Sequence, residues 1–386
     1  MKILITNNVM KKQLLHILLL SAYISTADSY AQKLDNLTEL KLKSQNEIFH
    51  NLGKAPHTPA FDAEGYWVWG SSVVKGEDGK YHMFVSRFPK SLPFHPGWMV
   101  ASEIVHAISD TPQGPYKFND VALPARGVQY WDGHSTHNPR ILKHNHKYYL
   151  IYMGSTHPFI DPTYNELTLS SPWCIVARSN KRIGLAISNS PFGPWKRLDE
   201  PILKPKPNTF YSYFTSNPSP IIQEDGSVMM IFKGRSHTDN GKYSDMALGI
   251  AYAPSIEGPY TVLNNDQPIF QVDGQGEAED PFLWKDKKGY HAIFKDHVAK
   301  FTGERGGGVM AHSKDGIHWT VDKDPKAYSR TVEWEDGKIE MQGQLERPFL
   351  LFNENGKITH AFFATMDGPG GFENANKSWN MVIPLK

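Results

Sequence analysis

The chain has 386 residues, of which 40% are hydrophobic and 21% are charged. This length is enough for one large domain or two ordinary ones with a real core. The 41 Lys and Arg residues balance 40 Asp and Glu residues, and the lack of a basic excess argues against a nucleic-acid-binding protein. The single cysteine, Cys174, excludes an internal disulfide framework and a Cys-rich zinc site.

The segment 1–31 has the features of a signal peptide. Lys11 and Lys12 precede a short apolar run, and Ser29 and Ala31 place small residues before a cleavage site. The apolar run is too short to span a bilayer, so we expect no membrane attachment after cleavage. The alternative is a buried N-terminal helix. The signal predicts a periplasmic or secreted protein.

Two further regions follow the predicted signal peptide. Residues 32–60 are expected to form an N-terminal extension with a helical stretch, which is a candidate dimer arm. Residues 61–386 are expected to form a single catalytic domain. The sequence does not predict the oligomeric state.

One pattern recurs five times along the second region. Each unit joins an apolar strand, a Gly/Asn/Asp turn and an aromatic-rich strand, and later strands lead to Gly-Pro-aromatic turns. The units begin at Gly70, His137, Ser216, Glu279 and Glu346. Short strands that repeat with a period above forty residues predict an all-β fold, a single five-bladed β-propeller with a short N-terminal helical extension.

The innermost strand of each propeller blade borders a central channel, so polar residues near its start converge on one pocket. Proline fits at such a start because no ladder hydrogen bond is lost there. We therefore predict that the channel mouth is lined by Ser71, Ser72, His137, Asn138, Ser216, Asn217, Glu279, Asp280, Glu346 and Arg347. The alternative is that these residues only satisfy backbone groups at strand starts.

The Asp280-Pro281 and Glu346-x-Pro348 strand starts, with the Gly-Pro-aromatic turns, resemble the five-bladed propeller glycoside hydrolases of families 43, 32 and 117. The resemblance covers residues 61–386. It implies three acidic groups at the channel mouth: a base or nucleophile, a stabiliser of the cationic sugar and a general acid. By this resemblance Asp280 is the stabiliser and Glu346 is the general acid.

The first blade departs from that family pattern, because Trp69-Gly70-Ser71-Ser72 stands where these families usually place an Asp at the first inner strand. Asp132 is the predicted replacement for the base, and Asp62 and Glu279 are weaker candidates. Because adjacent strand residues point to opposite faces, Glu279 and Asp280 are not expected to serve together.

His137 is a further catalytic candidate, because a histidine is thought to be the acid in family 117. Sugar binding and ordinary hydrogen bonding remain the alternatives for this residue. Aromatic rings stack on sugars, and Arg140 or Arg347 could clamp a carboxylate or sulfate or pair with Glu346. The predicted substrate-binding residues are Trp69, Ser71, Trp131, His134, Asn138, Arg140, Asn217, Glu279 and Arg347.

Cofactors are not predicted by the sequence. No spacing of His134 and His137 is specific for a metal site, and a structural ion in the central channel stays open. The glycine-rich stretch 303–308 lacks the Lys-Ser/Thr signature of a phosphate loop, which excludes nucleotide binding there. The loop 158–173 breaks the repeat and is expected to wall one side of the pocket.

Together these features predict an exported, exo-acting and inverting glycoside hydrolase. It would release a terminal sugar from oligosaccharides of a plant or algal polysaccharide. One alternative is a propeller-type phosphorylase, in which Arg140, Arg347 and Lys295 would surround a phosphate. The other is a non-catalytic glycan-binding propeller. The sugar and its linkage are not predicted.

Overall fold

The computed structural model describes residues 37, 39–238, 242–270, 277–368 and 370–386, so the predicted signal peptide lies outside the described residues. The chain forms two compact units, one that ends at Gln45 and one that spans Asn46–Lys386. Residues 39–43 of the first unit are helical. The second unit opens with helix α1 (Glu47–Asn51), which Asn46 caps by accepting two backbone N–H bonds. No helix within the described residues is long and apolar enough to cross a membrane.

The second unit contains five antiparallel sheets of three or four strands among its described residues, and each of these sheets is one blade. The first blade contains β1 (Tyr66–Lys75), β2 (Tyr81–Pro89), β3 (Glu103–Ser109) and β4 (Lys117–Leu123). The second contains β5 (Ser135–His144), β6 (Lys147–Ser155), β7 (Arg182–Ser188) and β8 (Lys196–Arg197). The third contains β9 (Phe214–Ile222), β10 (Val228–Arg235), β11 (Ala247–Ala253) and β12 (Thr261–Val262).

The last two blades differ in their number of strands. The fourth contains β13 (Ala278–Asp286), β14 (Gly289–Asp296), β15 (Gly308–Ser313) and β16 (Thr320–Tyr328). A separate hairpin follows, built from β17 (Thr331–Glu333) and β18 (Ile339–Met341). The fifth blade contains β19 (Gln344–Phe352), β20 (Ile358–Met366) and β21 (Ser378–Pro384). These sheets coincide with the five sequence repeats, so the predicted all-β propeller with a helical N-terminal extension is confirmed.

The blades close into a ring. The inner strands β1, β5, β9, β13 and β19 contact one another in that order, and β19 contacts β1. The segment before β1 completes the closure, because the Ala60 N–H donates to Asn380 O (2.8 Å) and the Asn380 N–H donates to Phe61 O (2.9 Å). The start of the propeller is thereby joined to β21 of the last blade.

The hydrophobic core lies between neighbouring blades. At the contact of the first and second blades, Phe84 and Ile104 pack with Leu150 and Tyr152, and all four are fully buried. Burial of one such side chain contributes roughly 1.5–3 kcal/mol to stability. This packing fixes the blades, and with them the side chains that the inner strands direct into the channel.

One end of the channel carries the functional candidates. Each second strand returns to the end where its inner strand begins, so the loops after β2, β6, β10, β14 and β20 all lie there. We call this end the mouth. Helix α2 (Phe94–Ala101) lies in the loop after β2, and helix α3 (Pro172–Ser179) ends the loop that includes residues 158–173. The two helices pack on each other through Met99 and Cys174. Neither was predicted, because eight residues are too few for a sustained helical period.

The prolines of the inner strands lie elsewhere than expected. They lie within a bulge inside the strand and not at its start, since the strands begin at Ser135, Phe214, Ala278 and Gln344. A bulge leaves an extra residue unpaired, so that a missing proline N–H costs no ladder hydrogen bond there.

Candidate active site

The bulges determine which side chains reach the channel axis. In four blades the residue before the proline has a left-handed conformation, with φ of 53° at Asn138, 50° at Asn217, 55° at Asp280 and 58° at Arg347. The first blade has its bulge between Trp69 and Ser71, so Gly70 is the equivalent position. The prediction that Ser71 and Ser72 match the other pairs is therefore wrong by two residues, and Trp69 and Gly70 are the matching pair. The Ser71 hydroxyl donates to Asn380, and Ser72 accepts from the Ile141 N–H.

These five positions form what we call the axis ring: Gly70, Asn138, Asn217, Asp280 and Arg347. The Asn217 amide donates to Asp280 Oδ1 (2.7 Å), and Arg347 donates to the same oxygen (3.0 Å). The Asn138 amide donates to Asn217 Oδ1 (3.4 Å). A Cβ on Gly70 would lie 2.7 Å from Asn138 Oδ1, so the ring leaves no space in the first blade. The ring residues thus bind one another, and Asp280 and Arg347 are each only 2% exposed.

Arg140 also lies on the axis. Its guanidinium donates to Pro281 O and Pro348 O, at 3.0 Å each, and to Ser71 O at 3.5 Å. It therefore joins the second blade to the fourth, the fifth and the first. Because these bonds to backbone carbonyls engage the guanidinium, Arg140 is not placed to clamp a sugar carboxylate.

The residues one step earlier on the inner strands face the mouth. We call the mouth cluster three of these residues, His137, Glu279 and Glu346, together with two lysines near the ends of the second strands, Lys233 and Lys295. Lys295 pairs with Glu346 and lies 3.5 Å from Glu279 Oε2, while Lys233 pairs with Glu279. Glu279 and Asp280 were not expected to serve together. The structure places Glu279 in the mouth cluster and Asp280 in the axis ring, and the charges of both raise the pKa of Lys295.

The two glutamates of the mouth cluster have opposite protonation preferences. Burial raises the pKa of Glu346 to about 7, and the negative charges of Asp280 and Glu279 act in the same direction against Lys295. Burial alone would also raise the pKa of Glu279, but Lys233 and Lys295 outweigh it and hold that pKa well below its usual range. Near neutral pH the site therefore offers one carboxyl that retains a proton and one carboxylate. This is the arrangement that general acid–base chemistry requires.

His137 lies across the mouth from the two glutamates, because the second of five blades faces the side between the fourth and fifth. Its Nδ1 is 2.7 Å from Ser102 Oγ, and its ring stacks on Trp98 at 5.1 Å. Burial holds the pKa of His137 well below its usual range, and the charge of Arg347 lowers it further. The imidazole is therefore neutral near pH 7.

Asp132, the predicted base, is fully buried in the second blade. Its Oδ1 accepts from Arg126 (2.6 Å), and its Oδ2 accepts from Tyr152 (2.7 Å) and Arg197 (3.4 Å). Both carboxylate oxygens are thus engaged within the protein. The structure brings Asp132 into an internal ion-pair network and not into the mouth cluster.

The two predicted tryptophans are packing residues in the structure. Trp131 stacks on Tyr152 (5.9 Å) and lies against Gly154 and Gly184, where a Cβ would meet its ring. Trp69 is 5% exposed and packs on Phe94 at the wall of the mouth.

His134 lies in a separate group with His157 and Asp161, whose candidate ligand atoms lie within 4.8 Å of one another. The imidazoles stack at 4.0 Å with 20° between their planes. Both ring nitrogens of buried His157 lack a hydrogen-bond partner within the described residues. The lone pair of an imidazole nitrogen lies in the plane of its ring. Because the two rings are stacked with nearly parallel planes, their nitrogen lone pairs do not converge on one metal ion in this conformation.

Sequence reasoning missed the lysines as mouth residues, apart from Lys295. Both lysines lie near the ends of second strands, whereas the predicted mouth residues are polar pairs that precede prolines on the inner strands. A signal was present, because the third and fourth repeats both read Ile-Phe-Lys, at 231–233 and 293–295. The register of β10 with β9 and of β14 with β13 places these lysines beside the mouth residues.

Solved structures of glycoside hydrolases share this fold. A family 117 glycoside hydrolase, Zg3597 from the marine bacterium Zobellia galactanivorans, is 16% identical with a TM-score of 0.61, over 88% of this chain and 92% of that one. A thermostable family-43 glycoside hydrolase is 13% identical with a TM-score of 0.55, over 86% and 92%. An endo-arabinase from Bacteroides thetaiotaomicron is 12% identical with a TM-score of 0.52, over 86% and 97%.

At the level of sequence, no protein-family model matches the chain, and the comparison with curated proteins finds no match. Identities this low show the fold alone. The predicted resemblance to the five-bladed propeller glycoside hydrolases is confirmed as a likeness of architecture across nearly the whole chain.

Proposed function

We propose that the protein is an exported glycoside hydrolase, exo-acting and inverting, that releases a terminal sugar from plant or algal oligosaccharides. The observation that carries the proposal is the mouth cluster, in which Glu346 and Glu279 meet at Lys295 with opposite protonation preferences. The fold shared with a family 117 glycoside hydrolase and an endo-arabinase supports the reaction class. Export is supported by the sequence of residues 1–31.

Glu346 is the general acid in this proposal. Its raised pKa keeps a proton available near neutral pH, and that proton passes to the glycosidic oxygen as the bond to the anomeric carbon breaks. Glu279 stays ionised between Lys233 and Lys295 and stabilises the positive charge that develops on the sugar. Asp280, fixed by Arg347 beneath the mouth, helps to raise the pKa of Glu346.

His137 is the general base in this proposal and replaces the acidic residue that the first blade lacks. With Nδ1–H donating to Ser102 Oγ, the lone pair of Nε2 can accept a proton from a water that attacks the anomeric carbon. Its position across the mouth from Glu346 supports attack on the opposite face of the ring, which inverts the anomeric configuration.

An exo mode of action is supported by the walls of the mouth. Helix α2, helix α3 and the short 3-10 helix Gly371–Glu373 lie in loops of the first, second and fifth blades at this end. Phe94 of α2 stacks on Phe372 at 5.2 Å, which joins two of these insertions. Walls of this kind favour a closed pocket that takes the end of an oligosaccharide over an open cleft that binds the middle of one.

The first experiment is incubation of the mature protein with a panel of plant and algal oligosaccharides, with and without inorganic phosphate. We expect monosaccharide release without phosphate, with NMR of the first product showing an inverted anomer. Release only with phosphate would instead identify a phosphorylase. Binding without release by any member would identify a glycan-binding propeller.

Substitution of the proposed base tests the mechanism directly. His137→Ala should lower kcat by about 10²–10⁴-fold, because the attacking water loses its proton acceptor. Sodium azide, which needs no base, should restore turnover and give a glycosyl azide of inverted configuration. A loss that azide does not rescue, with intact folding, would count against His137 as the base.

The phosphorylase alternative required three cations around one anion. In the structure Arg140 binds backbone carbonyls, Arg347 binds Asp280 and Lys295 binds Glu346. Each is thus engaged by the protein itself, so we do not favour a phosphate site built from these three residues.

A further inference from the structure

Three lysines from consecutive blades reach the mouth, and within the described residues two of them have a carboxylate partner. Lys233 pairs with Glu279, and Lys295 pairs with Glu346. Lys181 lies directly before β7 of the second blade and forms no ion pair with any carboxylate in the described part of the chain. Its positive charge is therefore not neutralised by a direct partner among these residues.

Aromatic rings surround the Lys181 ammonium. Its Nζ lies 3.9 Å from the ring centroid of Phe214 and 5.1 Å from that of Trp98, and the residue is only 4% exposed. Aromatic faces attract a cation but accept none of its N–H bonds in the way an oxygen does. Since Trp98 also stacks on His137, this ammonium lies beside the proposed base.

The electrostatic surroundings of Lys181 are positive. Burial holds the pKa of Lys181 well below its usual range, and Lys233, Arg178 and Arg235 lower it further. Glu279 acts in the opposite direction, but two lysines already hold it. A negative group placed here would offset charges that the described protein groups leave unbalanced.

His95 adds a second donor beside Trp98. Burial of its ring, together with the charges of Arg178 and Lys181, lowers its pKa to about 4. The neutral ring accepts the Trp98 indole N–H at Nδ1 (3.0 Å), so its own proton lies on Nε2. Nε2–H is then available to a ligand.

We propose that the part of the mouth between Lys181 and His95 binds an anionic substituent of the sugar, a carboxylate or a sulfate, and that the substrate is an acidic oligosaccharide. The inference names the substrate class and rests on the proposed glycoside hydrolase function. An anion supplies acceptors for the Lys181 ammonium and for His95 Nε2–H, and charge-assisted bonds of this kind are the strong ones.

The test is calorimetric binding to the Glu346→Gln protein, which holds substrate without turnover. The probes are oligosaccharides with a terminal uronate, the same compounds reduced to neutral sugars, and sulfated oligosaccharides with their desulfated counterparts. We expect at least one acidic probe to bind about 10-fold or more tightly than its neutral counterpart. The uronate and sulfate pairs identify which anion the site takes.

A substitution then locates the preference. Lys181→Met in the same background keeps the apolar stem against Phe214 and should weaken binding of the preferred acidic probe by about 10–100-fold. Binding of the neutral counterpart should change less than about 2-fold, because only the charge is lost. Lys314→Met, at an exposed lysine of the fourth blade, is the matched control and should change neither. Thermal unfolding of each variant checks its fold.

The outcomes separate the inference from the function on which it rests. Equal binding of acidic and neutral probes by the protein with Lys181 intact, or equal weakening of both by Lys181→Met, overturns the anion site. Tight binding of inorganic phosphate alone, together with phosphate-dependent cleavage, overturns it in favour of a phosphorylase. An acidic preference that depends on Lys181, without cleavage of any panel member, supports the anion site and overturns the hydrolase.

Discussion

The axis ring and the mouth cluster come from adjacent residues of the same strands, yet they differ in nearly every physical respect. In the ring, Asp280 is held by Asn217 and Arg347, and a Cβ on Gly70 would lie too close to Asn138. In the cluster, Glu279 retains 15% side-chain exposure, and the charges of Lys295 and Glu346 are coupled across two blades. One residue along the chain separates a closed structural layer from an open reactive one.

The difference shows how a symmetric fold carries an asymmetric site. The bulge sets the same backbone conformation at Asn138, Asn217, Asp280 and Arg347, so the fold fixes these positions. The residues directly before them are free to differ, and they do: Trp69, His137, Ser216, Glu279 and Glu346. The two carboxylates of the mouth cluster come from the fourth and fifth blades, His137 comes from the second, and the first blade contributes Trp69.

The largest expected effect comes from removing the proposed acid of the mouth cluster. Glu346→Gln should lower kcat on a natural oligosaccharide by about 10²–10⁴-fold, because the leaving oxygen loses its proton donor. A 2,4-dinitrophenyl glycoside needs no such proton, so its hydrolysis should fall far less. Glu354→Gln, at the exposed turn of the same blade, is the matched control for steady-state kinetics. Equal losses on both substrates would remove Glu346 from the role of acid.

Arg140, which lies on the channel axis, should contribute to the free energy of unfolding and not to catalysis. Arg140→Met leaves the buried carbonyls of Pro281 and Pro348 without their donor, which costs about 2–6 kcal/mol. Urea unfolding should show this loss, while Arg305→Met at an exposed position should stay within about 0.5 kcal/mol of the parent. Wild-type stability of Arg140→Met would mean that the axis does not hold the blades together.

A smaller effect is expected from filling the gap in the axis ring. Gly70→Ala places a methyl group 2.7 Å from Asn138 Oδ1 and 3.2 Å from Arg347 Nε, which should cost about 1–3 kcal/mol of unfolding free energy. The double variant Gly70→Ala/Asn138→Ala removes one of these contacts, so the two losses should be less than additive. Strict additivity in denaturant unfolding would show that the two positions do not touch.

The pH dependence gives the smallest and most specific effect. Activity needs protonated Glu346, so kcat/KM should fall about 10-fold per pH unit above pH 7, and Glu346→Gln should lack this limb. Folding raises this pKa from 4.5, so the stabilising contribution of Glu346 is full below pH 4.5 and is lost as pH rises through about 7. A rate profile that stays level to pH 9 would contradict the shift.

The contrast between the axis ring and the mouth cluster also explains which parts of the structure could be predicted from the sequence. Turns and alternating strands are local signals, so the five blades and the inner strands were predictable, as was the convergence of residues such as Glu279 and Glu346. The bulge was not, because it inserts one residue and changes which side chains face the axis. The predicted pair Ser71 and Ser72 therefore lies two residues beyond the true equivalents, Trp69 and Gly70.

Residues that act through distant partners were also beyond sequence reasoning. Asp132 was predicted as a base because its loop is rich in His and Trp. In the structure its carboxylate is instead paired with Arg126 and Arg197, which come from other loops and strands. Lys181 gave no signal, since it follows a helix too short to be predicted and meets Phe214 only after the blades assemble. Tertiary packing alone brings such groups together.

The pairing of Ala60 and Phe61 with Asn380 also protects the molecule against association with its own copies. It covers the free edge of β21, whose N–H and C=O groups would otherwise be a template for a strand from another chain. The two partners lie almost the whole propeller apart in sequence, so this contact closes a long loop of chain. Before the contact forms, the edge of β21 is open to pairing with a strand of another molecule.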